Sequence, residues 1–261
     1  MESLRVVRSD GVVTCTLNRP EKKNAITTEM WVGLIDLFEV VATNPDDRVL
    51  VLTGAGDGFC SGADLGDSGT AAAAGGVGSA LAGMRTVGKA ALALHDLEKP
   101  TIAAVNGVAA GAGLNLALGC DLVISSDRGR FSEIFAKRGL VVDFGGSWLL
   151  PRLVGMHRAK ELVLLAEVID AAEAERIGLV NRVVAHDQLG EAVNEIATRL
   201  ANMAPLALAA SKRLLNQSFT VSKAEAVEAE NTAQALMSTT HDTGEAILAF
   251  FERREPRFSG S

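Results

Sequence analysis

Apolar residues recur along this chain with two periods. Short β-branched runs at 12–17, 49–53, 101–105 and 122–125 predict strands. Between the first two, Met30, Leu34, Leu37 and Val41 fall at spacings of four, three and four, one face of a helix, and Thr27 stands where its N-cap is wanted. Asp170 with Glu173 has capping-box spacing, and Gly178 is placed to end that short helix. Ser222 with Glu225 repeats the signal before a helix reaching about residue 237. Pro205 suits the first position of another helix at 206–219. Strands alternate with helices to about residue 185, and helices alone follow. That order predicts an α/β core with a helical appendage.

Composition sharpens the picture. Hydrophobic residues make up 48% of the 261 positions but aromatic ones only 4%, and 26 are Gly, so the interior should hold closely packed backbones. Tyr is absent, which excludes any tyrosine acid, including the Tyr-Lys pair of short-chain dehydrogenases. The net charge of −7 argues against a general nucleic-acid binder. Cys15, Cys60 and Cys120 show no metal-ligand spacing and are odd in number, so they read as buried reduced thiols. His95, His157, His186 and His241 read as structural or surface groups. Residues 100–120 carry no charge and could cross a bilayer by length, but Pro100, Asn106, Asn115 and four Gly point to a buried strand-turn-helix. Met1 to Asp10 contains Glu2, Arg5 and Arg8 and no apolar signal core. The expectation is a soluble cytoplasmic protein without membrane partners. The Ala/Gly-rich patch at 66–83 reads as a mobile loop beside a site, a frayed helix, or a tolerated insertion.

Two strand-to-glycine junctions remain, at 53–65 and 104–115. Neither is a dinucleotide fingerprint: a G-x-G-x-x-G starting at Gly54 needs Gly where Phe59 stands, and one from Gly111 needs Gly at Leu116. Nor is there a serine-hydrolase elbow, since Ser61 follows Cys60 one place too late. Small residues in such turns do allow a carbonyl to approach main-chain N–H groups. Two converging donors would stabilise an enolate. Tight core packing is the alternative.

The segments Leu17-Asn18-Arg19-Pro20 with Asn24-Ala25, Phe59-Cys60-Ser61-Gly62-Ala63-Asp64-Leu65, and Lys99-Pro100 through Asn106-Gly107 resemble the enoyl-CoA hydratase/isomerase (crotonase) superfamily. So do Gly139-Leu140, Gly145-Gly146-Ser147-Trp148 through Gly155, the stretch from Ala171 to Val184, and Ala249-Phe250-Phe251 through Phe258. The resemblance spans nearly the whole chain in the family's order. It implies a spiral of ββα units over 1–200 that binds acyl-CoA, followed by a helical trimerisation region over 201–261. It also implies a homotrimer or homohexamer. The substrate would be a coenzyme A thioester, with no metal and no cofactor beyond that coenzyme A. The N–H groups of Ala63 and Ala112 would form the oxyanion hole. Lys22, Lys23, Ala25, Ala63, Asp64, Leu65 and Gly66 would line the coenzyme, and Gly111, Asn115 and Phe135 the acyl pocket. Lys22 and Lys23 read equally as a solvated turn. Arg253 and Arg254 are further phosphate candidates, or compensate a helix end.

The pattern breaks where hydration needs it. The family's two hydratase glutamates would fall at Asn115 and Phe135, neither an acid. Glu133 could substitute only if its loop shifts. Asp143 remains, flanked by Val141, Val142 and Phe144, which would desolvate it and raise its pKa. It is expected either to act as acid/base or to cap the helix after Gly145. The leading expectation is isomerisation of 3-enoyl-CoA to 2-enoyl-CoA through an enolate. The alternatives are a 2-enoyl-CoA hydratase, an Asp-nucleophile hydrolase or dehalogenase, and an inactive acyl-CoA-binding member.

Overall fold

The computed structural model describes residues 2–261, the side chains of 68–75 excepted. The chain opens with antiparallel strands β1 (Leu4–Ser9) and β2 (Val12–Leu17), then helix α1 (Thr28–Thr43). Thr27 caps α1 by accepting from the Met30 N–H, and Met30, Leu34, Leu37 and Val41 are buried as their spacing requires. A unit of strand, short strand and helix then repeats. Its first copy is β3 (Val49–Gly54), β4 (Gly58–Cys60) and α2 (Leu65–His95). The second is β5 (Thr101–Val105), β6 (Val108–Ala110) and α3 (Ala112–Leu118). The third is β7 (Leu122–Ser126), β8 (Arg130–Ser132), a 3-10 turn at Ile134–Arg138, and α4 (Gly146–Leu165).

Strands β9 (Ile169–Asp170) and β10 (Arg182–Val184) complete two sheets. The larger has the order β1-β2-β3-β5-β7-β10 and is parallel from β2 onward. The smaller, β4-β6-β8-β9, collects the second strand of each unit. This is the spiral of ββα units expected. β3 and β5 are covered on both faces, which is why they read as unbroken apolar runs. On one face Val49, Val51, Ile102, Ala104 and Ile124 receive Leu189, Val193 and Ala197 of α6 (Leu189–Ala201).

Local signals hold with small departures. Asp170 caps α5 (Ala171–Arg176), but the Glu173 carboxylate pairs with Arg176 and does not return to the cap. α7 (Pro205–Gln217) begins at its proline and ends before Phe219; α8 (Lys223–Met237) opens on a complete capping box, and α9 (His241–Glu252) follows. The patch at 66–83 has its backbone in α2, which is broken at Gly76. The loop reading gives way to the helical one, and the side chains of 68–75 lie outside the described residues. All three thiols are buried and free, and desolvation pushes Cys15 and Cys60 up to about 12. Among the described residues no helix is long and apolar enough to cross a membrane.

One close approach sets the site. A Cβ on Gly113 in α3 would stand 2.4 Å from the Cys60 carbonyl oxygen and 2.6 Å from its sulfur. Glycine there lets α3 seat directly on the end of β4, which holds the turns after β4 and β6 together. Gly113→Ala should therefore cost about 1–3 kcal/mol of stability, read as a lowered urea midpoint. An unchanged midpoint would mean that the contact yields freely.

Candidate active site

The turn after β4 and the turn after β6 meet. A Cβ on Gly62 would lie 3.0 Å from the Ala110 oxygen and 3.7 Å from the Ala112 nitrogen. Ile26 bridges to this turn: its N–H donates to the Gly62 carbonyl at 2.8 Å, and its carbonyl accepts from the Asp64 N–H at 2.9 Å. That ladder uses the groups on either side of Ala63 and leaves the Ala63 N–H out. Ala112 is the first residue of α3, so its N–H has no helical partner. Among the described residues neither N–H donates a hydrogen bond. Ala112 is buried, and a buried N–H with no acceptor is rare. Two free donors on touching turns, one of them buried, are able to grip a single carbonyl oxygen.

The residues expected to line the acyl pocket gather at this point. Phe135 is buried, and its ring edge would stand 3.5 Å from a Cβ on Gly111. Asn115, one turn into α3, is fully buried. Its amide nitrogen donates to the Asp143 main-chain oxygen at 3.1 Å and to Glu133 Oε2 at 3.5 Å. The side chain lies so close to the start of α4 that a Cβ on Gly146 would meet it at 2.4 Å. Asn115 thus ties α3 to the turn that carries Asp143.

Asp143 does not cap α4. Gly145 is the N-cap and supplies no side-chain bond, and the Gly146 N–H donates to the main-chain oxygen of Asp143. The Asp143 carboxyl has a buried oxygen, Oδ1, without a partner, and desolvation raises its pKa to about 6. Val141 contributes nothing to that shielding, for it is 85% exposed. Phe144 is buried instead and stacks on Trp31 at 5.3 Å between centroids. Its φ of +48°, followed by +80° at Gly145, makes a left-handed turn that a bulky residue rarely adopts. Such backbone strain clusters at functional sites, and here the stacked ring offsets it.

Glu133 needs no shift of its loop. The 3-10 turn that starts at Ile134 buries both Glu133 and Phe135, and the Glu133 carboxyl already reaches Asn115. Burial first, and Asp143 as a further cause, raise its pKa to about 8, against the hydrogen bond from Asn115. Glu133 was expected to substitute for the second acid only after a loop shift; its carboxyl meets Asn115 with the loop as it stands.

The residues expected along the coenzyme are also assembled, with altered roles. Ser61 ties the two segments together, its N–H donating to the Lys23 carbonyl and its hydroxyl to the Lys22 carbonyl. Asp64 caps α2, accepting from the Gly66 N–H, and pairs with Arg19 at 2.9 Å. Arg19 also donates to the Ala25 carbonyl. Leu65 is 56% exposed beside them. Lys23 pairs with Asp57, whereas Lys22 is exposed and its ammonium makes no ion pair among the described residues. Arg254 is held by Glu245 and Glu252, so the helix-end reading describes it better than a free phosphate ligand does. Of the histidines, His95 packs edge-on against Trp148 and His186 meets the Ser126 hydroxyl.

A ββα spiral with two free amides on touching turns and a buried carboxyl group beyond them defines a protein of the crotonase fold. Residues 7–261 match the family described as enoyl-CoA hydratase/isomerase, and the chain belongs to it. It is 38% identical over 250 residues to the 1,2-epoxyphenylacetyl-CoA isomerase of Escherichia coli (96% of this chain, 95% of that one). To the 2,3-dehydroadipyl-CoA hydratase of the same organism it is 35% identical over the full length of both. The crystal structure of a putative enoyl-CoA hydratase from Streptomyces coelicolor superimposes with a TM-score of 0.95 at 40% identity, covering 99% of this chain and 94% of that one. The chain is thus an acyl-CoA enzyme of this family.

Proposed function

We propose that the protein moves a double bond within an acyl-CoA thioester, from the 3-enoyl to the 2-enoyl position, with Asp143 as its acid/base. The thioester oxygen accepts from the Ala63 and Ala112 N–H groups. The Asp143 carboxylate takes a proton from the carbon next to the thioester carbonyl, giving a dienolate whose charge gathers on that oxygen. The proton then returns two carbons along. No atoms are gained or lost, and the coenzyme A of the substrate is the only coenzyme involved. The observation that carries this reading is the Asp143 carboxyl, shielded on one side, not capping α4 and without an ion pair among the described residues, its pKa raised by desolvation to about 6. A general base works best when its pKa lies near the working pH.

The coenzyme would lie along Lys22, Ala25 and Ala63 to Gly66, with the exposed ammonium of Lys22 meeting a phosphate. Phe219, Leu236, Ile247, Phe250 and Phe251, exposed on or beside the last helices, are apolar surface that a homotrimer or homohexamer would cover. Glu133 favours a second reading: with Asp143 it supplies two buried carboxyls able to orient water, and several relatives are named hydratases.

A thioester panel in deuterium oxide separates the two. Isomerisation predicts double-bond migration in a 3-enoyl-CoA with deuterium at the α or γ carbon, and slow addition of water to crotonyl-CoA. Fast hydration of crotonyl-CoA with no migration would replace the first reading by the second.

A further inference from the structure

Glu133 presents a physical problem that isomerisation by one carboxylate does not use. It is wholly buried, on a turn flanked by Phe131, Ile134 and Phe135. Among the described residues its carboxyl has one hydrogen bond, the long contact of 3.5 Å from Asn115, and Oε1 has no partner. A buried carboxyl so poorly satisfied works against folding. A methionine or leucine would fill the space at lower cost. The residue it touches, however, is the one that holds the Asp143 turn. Asn115 gives its amide hydrogens to Glu133 and to the Asp143 main chain, and Gly146 leaves no room for it to swing toward α4.

We infer that Glu133, in its neutral form, is a positioning residue: it keeps the Asn115 amide turned to the Asp143 carbonyl and so holds the Asp143 carboxylate on the reacting carbon. The inference rests on the isomerase reading and deepens it. A neutral carboxyl accepts from Asn115 without adding charge where the enolate forms. Once ionised, it sets a second negative charge beside Asp143. The groups facing Glu133 are Asn115 from α3 and Asp143 from the turn before α4; Lys137 and Arg138, on its own turn, point outward and are exposed. Among the described residues no cation offsets its ionisation, in keeping with a pKa of about 8.

The test uses Glu133→Met, Glu133→Gln and Asp143→Asn in the full-length protein, with deuterium exchange into a 3-enoyl-CoA as the readout. Glu133→Met should lower kcat at least about tenfold with KM nearly unchanged, since misplacing a reacting group is costly in rate. Its melting temperature should not fall. Glu133→Gln, neutral at every pH, should recover most of the loss and lack the decline of kcat expected of the parent above a pH of about 8. Unchanged kcat in Glu133→Met, or an alkaline decline that persists in Glu133→Gln, would overturn the inference. Loss of both melting temperature and rate in Glu133→Met, without recovery in Glu133→Gln, would do the same by making Glu133 structural. Asp143→Asn keeps the two questions apart: if it retains exchange, the isomerase reading has failed, whatever the Glu133 variants show.

Discussion

The Asp143→Asn enzyme should exchange the α or γ protons of a 3-enoyl-CoA about 10²–10⁴-fold more slowly than the parent, the usual contribution of a positioned acid or base. Its affinity for acyl-CoA should be unchanged. Asparagine nearly matches the shape of aspartate and leaves the main-chain bonds of residue 143 to Asn115 and Gly146 intact, so only the proton acceptor is lost. The pH dependence carries a second check. Only the ionised carboxyl accepts a proton, so the parent's kcat should rise with pH through about 6, the value to which desolvation lifts Asp143. Stability should run the other way. The folded pKa lies above the ordinary 3.8, so the native state keeps a proton that the unfolded chain has already released. The parent's stability from this group is full below that ordinary value and is lost as pH rises through about 6. The Asn variant should show neither the kinetic rise nor this loss, and should melt above the parent at neutral pH. Proton exchange at the parental rate would remove Asp143 from the mechanism.

Much of this site was readable from the chain, and the exceptions share a cause. Thr27, Asp170, Pro205 and Ser222 stand where caps and starts are found, because those signals act over a few residues and need no partner far away. The paired glycine turns were visible as sequence, but their contact was not. It depends on Gly113 sitting against Cys60, a meeting of segments more than 50 residues apart. Lys23 looked like a phosphate ligand because its partner Asp57 lies beyond the next helix and strand. The contact of Glu133 with Asn115 was hidden for a related reason. Residues 133 and 135 would share a face in a strand but point apart on a helix, and the structure buries both where the 3-10 turn begins. No period in the sequence announces such a turn. Val141 likewise looked like shielding by adjacency, but the left-handed turn at Phe144 turns a different apolar residue inward. Local chemistry was legible, and the pairing of distant segments was not.

The other large effect is expected at a residue whose side chain does nothing. Ala112→Pro should lower kcat/KM for a 3-enoyl-CoA by about 10²–10³, the typical loss of one oxyanion donor, equivalent to about 2.7–4 kcal/mol of barrier. Proline at the first position of a helix is otherwise well tolerated, because the N–H it lacks has no helical acceptor and its fixed φ suits the helix. Residue 112 is that first position, so the fold should survive the change. Circular dichroism and a melt within a few degrees of the parent would establish that it has. The ring also places a methylene where the thioester oxygen would sit, so binding and turnover should weaken together. Ala112→Ser, which retains the N–H, separates the amide from the side chain and should stay far closer to the parent. If the proline variant folds and works within tenfold of the serine one, charge is not gathering at Ala112. The enolate would then have to be stabilised elsewhere, and with it the role assigned to the junction of the two turns would fall, although the family and the fold would stand.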